Sequence, residues 1–162
     1  MGCNMREIMY LLCVFAVTVY LAVAAWEDHK CCEVTRWKHL IGGIPSVILF
    51  VMNMGRYSLE ENAMILAFAG IYVVIGYVGL YGFADGLVLS ILSLFFGSIG
   101  GCAGGGAVLL IAVISAFSFM IYHAVKCVWK HRKIFQNMTG PLIPHIFVGY
   151  TAVIAVMIAY VL

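Results

Sequence analysis

Between Asn62 and Val125 the chain runs for 64 residues with one formally charged side chain, Asp85. In water, a stretch so poor in charge would leave far more apolar surface exposed than a small monomer tolerates. In a bilayer it is ordinary, because each helical crossing needs about 20 apolar residues at ~1.5 Å per residue. The rest of the chain continues the pattern. Of its 162 residues 65% are hydrophobic and 10% charged, with a mean hydropathy of +1.09, well outside soluble composition. Backbone groups in hydrocarbon must be satisfied within a helix or a closed barrel. Barrel strands alternate apolar and polar residues, whereas these runs are continuously apolar. The expected fold class is therefore all-α: a polytopic integral membrane protein, with residues 1–162 as one transmembrane domain.

Apolar runs fall at Ile8–Ala25, Leu40–Met54, Ala63–Tyr81, Gly86–Gly97, Ala107–Val125 and Leu142–Leu162. Four of them have 18 to 21 residues, enough to cross ~30 Å of hydrocarbon. The second and fourth are short and interrupted by Pro45 or by glycines, which neighbouring helices can shield. About six transmembrane helices are expected; five result if one short run is re-entrant. The first run lacks a small-residue cleavage site before its charged flank and reads as a retained helix. The opening MGCNMR has Arg6 where a myristoylation signal needs Ser or Thr.

With six spans, one side carries the Trp26–His39 loop, the Gly82–Asp85 turn and the Lys126–Gly140 loop. Lys30, Arg36, Lys38, Lys126, Lys130, Arg132 and Lys133 all fall there, against Arg6 and Arg56 on the other side. That bias places the first side in the cytoplasm of a cell membrane and both termini outside. It also puts Asp28, read as three residues past the first helix, on the same edge as Asp85.

Each of the two aspartates admits more than one reading. Asp85, between Gly82 and Gly86, suits a helix N-cap, but carboxylates within membrane segments usually serve a function. The flanking glycines allow a sharp turn and the close approach of another chain. Asp28 lies in AAWEDHKCCEVTRW with Glu27 and Glu33, where a solvated loop position competes with a functional one. The six cysteines form no CxxC pair, so neither a zinc site nor a disulfide framework is expected. GSIGGCAGGG, Gly97 to Gly106, has the small-xxx-small spacing of close helix packing and lacks the Lys-Ser/Thr of a phosphate loop. The run KCVWKHRK reads as a topology anchor that meets anionic lipid. The sequon at Asn137 falls in the expected cytoplasmic loop, where it would go unused. His145, after Pro144, is either a satisfied buried histidine or a support to a site.

Three segments in order resemble the type IV prepilin peptidases. DHKCCEVTRW is similar to the family's D-x-[R/K]-x-x-x-[I/V]-P-N segment, GFADGLVLSILSLFFG to its G-x-[G/A]-D-x-K segment and apolar helix, and GPLIPHIFVGY to its entry into the last helix. The resemblance spans nearly the whole chain in its compact form, without the zinc-binding, N-methylating region. It implies a membrane aspartic endopeptidase that cuts the basic leader from prepilins or pilin-like proteins, with Asp28 and Asp85 catalytic. Gly82, Ala84 and Gly86 would form the supporting turn, and Glu27 and Glu33 would meet the leader's Lys or Arg. No cofactor, metal or nucleic-acid partner is implied; the partners are the substrate and the bilayer. The family's Pro-Asn is replaced by Thr35-Arg36, and the lysine two residues past the second aspartate by Leu87. Two carboxylates held close share a proton, so one can activate water while the other protonates the scissile carbonyl. The competing readings are a small transporter or assembly subunit that uses Asp85 for ion coupling, and a catalytically inactive relative.

Overall fold

The structure is a computed structural model that describes residues 5–32, 34–79, 82–129 and 140–161. Among these residues six α-helices follow one another and no strand occurs. They are α1 (Met5–Cys31), α2 (Arg36–Asn53), α3 (Leu59–Val78), α4 (Phe83–Gly100), α5 (Cys102–Trp129) and α6 (Ile143–Val161), with a 3-10 turn at Met54–Arg56. The first five are long and apolar enough to cross a membrane, and α6 carries a shorter apolar stretch, Ile143–Met157. The protein is an all-α, multi-pass membrane protein. The sequon at Asn137, Glu33, and most of the Lys126–Gly140 loop lie outside the described residues.

The helices depart from the apolar runs by several residues at most of their ends, and two of these differences bear on the site. Helix α1 does not stop at Ala25 but runs on to Cys31, so Asp28 lies inside the helix and not in a loop. Trp26–Lys30 contains neither Gly nor Pro, and His29 and Lys30 in the last turn suit the negative helix end. Cys32, at φ 53°, turns into the left-handed region and ends the helix. Helix α4 starts at Phe83, ahead of the expected Gly86, which places Asp85 within its first turn.

Five helices close a ring in the order α1, α2, α4, α5, α6 and back to α1, while α3 flanks α4. Of the α4 span 56% is buried inside the protein, against 33% or less for the other four long spans; α4 is the central helix. Val17 and Leu21 of α1, Leu92, Phe95 and Phe96 of α4, Ile111 of α5 and Ile146 and Tyr150 of α6 fill the ring. Large apolar side chains such as Leu11, Phe15, Ile44, Val74, Leu109 and Phe117 point outward, where lipid is their solvent.

The glycine-rich segment does what its spacing suggests, packing and turning. Gly101, at φ +58°, makes the turn between α4 and α5. A side chain at Gly97 would collide with Ile65, and one at Gly104 with the Phe96 carbonyl, so α4 meets both neighbours at close range. Opposite the aspartates, Tyr10 donates to Asn53 Oδ1 at 2.6 Å and Arg56 donates to Tyr10 at 3.2 Å, tying α1 to the end of α2. Helix α3 begins there with a capping box: Ser58 Oγ accepts the Glu61 amide, and Glu61 accepts the Ser58 amide.

Candidate active site

Asp28 ends on the last turn of α1 with 6% of its surface exposed. A buried carboxylate is expensive unless hydrogen-bonded, and its partner comes from far along the chain. Oδ2 accepts the Ile143 amide at 3.0 Å, across 115 residues. Ile143 opens α6, whose first amides have no partners of their own helix. The Leu142 carbonyl accepts the amides of His145 and Ile146, and Pro144 fits this first turn because it has no amide to satisfy. Asp28 therefore caps α6 from α1, at the positive end of that helix.

Asp85 is half-buried in the first turn of α4 and is not itself the cap residue. Gly82 holds the cap position, and Asp85 Oδ2 reaches back to accept the Gly82 amide at 3.2 Å. Both carboxylates thus rest on helix N-termini, one its own and one borrowed. The Asp28 charge acts electrostatically on Asp85. The ends of α1 and α6 meet here, and the start of α4 lies on the same edge of the ring.

The supporting residues have separate tasks. Gly82 is the helix cap. Ala84 packs against the core. A Cβ on Gly86 would stand 2.7 Å from the Tyr72 carbonyl and 2.8 Å from Gly76 Cα, so the chain that approaches closely is this protein's own α3. Gly76 was not singled out from the sequence, where it is one glycine in an apolar run. Glu27, expected to meet a basic leader, has Oε1 engaged by Lys38 Nζ at 2.6 Å, with Thr35 donating at 3.4 Å. It clamps α1 to α2. Glu33 lies outside the described residues, and of Thr35-Arg36 the structure describes the Thr35 side chain.

His145 follows the satisfied reading: Nδ1 lies 2.7 Å from Ser118 Oγ, with Phe119 and Tyr122 against its ring. Cys31 and Cys32 are exposed free thiols. Among the described residues no three His, Cys, Asp or Glu side chains converge as metal ligands. Sequence reasoning missed His39, which is 4% exposed and lies 2.6 Å from Tyr20 Oη through Nδ1.

The edge that holds the aspartates carries all three tryptophans of the chain, Trp26, Trp37 and Trp129, each exposed. Lys30 lies 4.5 Å over Trp26, and Lys126 lies 5.5 Å over Tyr122. Trp and Lys at one level mark the membrane–water interface. Asp28 and Asp85 sit at that level, Asp28 buried and Asp85 half-buried.

No family model, curated protein or solved structure matches the chain.

Proposed function

We propose that the protein is a membrane aspartic endopeptidase that removes the basic leader from type IV prepilins or pilin-like proteins at the cytoplasmic face of the cell membrane. The observation that carries this reading is that Asp28 and Asp85, from helices far apart in the chain, lie at one edge of the helix ring with the charge of one acting on the other. Each is anchored through Oδ2 by a backbone amide. Like charges so placed are best accommodated as one proton shared by two carboxylates.

In this reading the ionised member takes a proton from water, and the resulting hydroxide attacks the scissile carbonyl carbon. The protonated member gives its proton to the carbonyl oxygen. As the tetrahedral intermediate collapses, the first carboxyl group passes the proton it took from water to the leaving nitrogen and the second recovers one from the diol, which releases the leader's new carboxyl end and the amine of the mature protein. The substrate's apolar helix lies in lipid against the bundle, and its charged leader stays at the aqueous edge. In the sequence, seven of the nine Lys and Arg fall in the segments between spans assigned to this side, which supports a cytoplasmic site.

The ion-coupling alternative fits less well. The ring interior is filled by Leu92, Phe95, Phe96 and Tyr150, each at most 1% exposed, so an ion path would have to displace them. The test is co-expression with a prepilin and a gel shift of the leader-cleaved product. A prepilin that stays uncut beside correctly inserted protein sinks the peptidase reading and leaves the inactive relative or the transporter.

A further inference from the structure

His39 and Glu27 each bury one polar atom that has no partner among the described residues. His39 sits on the first turns of α2, with its Nδ1 joined to Tyr20 Oη of α1. Its other nitrogen, Nε2, is buried and unpartnered among the described residues, as is Glu27 Oε2. The two side chains act on one another electrostatically. Lys38, the residue before His39, bonds the other oxygen of Glu27 at 2.6 Å. Tyr20, which holds His39, lies about two turns before Glu27 on the same face of α1, so both side chains are engaged across the α1–α2 contact.

Their chemistry is complementary in one arrangement. If the Tyr20 hydroxyl donates to Nδ1, the neutral imidazole carries its proton on Nε2 and presents a donor. Glu27, ionised opposite Lys38, presents an acceptor. The reverse tautomer would aim a lone pair at a carboxylate, two acceptors that only a water donating to both could join. A water between polar groups satisfies both at little loss relative to a direct bond.

We propose that His39 is a positioning residue: a single water joins its Nε2–H to Glu27 Oε2, and the chain Tyr20–His39–water–Glu27–Lys38 holds the last turn of α1. Glu27 and Asp28 are consecutive, so this link and the Ile143 amide together hold Asp28 in place. The inference rests on the proposed role of Asp28, since it assigns His39 a task in setting that carboxylate. His39 touches neither substrate nor the reacting atoms.

Two measurements test it. Nitrogen NMR of [15N]histidine-labelled protein in lipid nanodiscs, with His39 assigned by its loss in His39→Gln, needs no substrate. The expected result is a neutral Nε2–H ring whose Nε2 resonance moves in Glu27→Gln and whose Nδ1 resonance moves in Tyr20→Phe. An Nδ1–H ring, or an Nε2 resonance indifferent to Glu27→Gln, overturns the link. In the second measurement, prepilin cleavage is compared between His39→Gln and His39→Asn. Gln reaches the Nε2 position and Asn does not. Gln should keep kcat within about threefold of wild type, while Asn lowers it by roughly 10- to 100-fold, the scale of a small misplacement, with KM unchanged. Equal rates in the two variants, or an effect confined to KM, overturn the positioning role. If the wild type cuts no prepilin, the peptidase reading fails instead, and the nitrogen resonances alone still decide the link.

Discussion

Asp28 Oδ2 accepts the Ile143 amide at 3.0 Å, so a carboxylate on the first helix caps the last one. The bond closes the ring of helices at the edge that also holds Asp85. Assembly of the bundle and assembly of the site are therefore one event. Under the proposed function Asp28 then has two separable tasks, a charge for chemistry and an oxygen for the cap.

Asp28→Asn and Ala variants should separate those tasks. Asparagine keeps an oxygen for the Ile143 amide and removes the charge. Prepilin cleavage should fall by about 10²- to 10⁴-fold, with thermal unfolding in detergent near wild type. Asp28→Ala should lose the same activity and about 1 kcal/mol of stability besides, the usual worth of a helix cap. Asp85→Asn should match Asp28→Asn in activity. Full cleavage by either Asn variant ends the dyad model.

Gly86→Ala and Gly70→Ala should move stability in opposite directions. At Gly86 a methyl group meets the backbone of Tyr72 and Gly76, neither of which can swing aside. Overpacking of that kind costs roughly 1–3 kcal/mol. Gly70, within α3, has nothing within 4 Å of a built Cβ, so alanine there should stabilise the helix by about 0.5–1 kcal/mol. Denaturation midpoints of the two variants in one detergent check both signs.

Cys102 and the pair Cys31 and Cys32 are exposed thiols at opposite edges of the bundle. The Lys and Arg distribution leads us to expect labelling of Cys102 by a membrane-impermeant maleimide in intact cells. Cys31 and Cys32 should label once the membrane is opened. The reverse pattern would put both aspartates on the outer face, away from a cytoplasmic leader.

Leu87→Lys places in this chain the cation that the prepilin-peptidase pattern carries two residues past its second aspartate. Leu87 is half-buried in the first turns of α4, two residues from Asp85, and such positions point about 200° apart on a helix. The new lysine should therefore extend toward the headgroups without pairing with Asp85. We expect the cleavage rate to change by less than about tenfold, or ~1.4 kcal/mol, with an unmoved pH optimum. A displaced optimum would show that a cation at this position tunes the aspartates.

The sequence by itself determined the solvent of this protein, its helical class and the places of the six helices. Hydropathy is summed along the chain, and a bilayer accepts few other answers to 64 residues with one charge. The edge shared by Asp28 and Asp85 was legible too, because alternating spans bring the end of α1 and the start of α4 together. What surrounds them was decided by tertiary structure alone. The Ile143 amide lies 115 residues from Asp28, and no local pattern announces such a bond. Burial of α2 was hidden for a different reason. Its inward face carries His39, Gly42, Ser46, Leu49 and Asn53, at helical spacing but mostly small or polar, while Leu40, Ile41, Ile44 and Val47 face outward. In lipid the apolar residues need no core and the polar ones need partners. The face of α2 that decides how α1 is held is therefore the one that hydrophobic periodicity passes over.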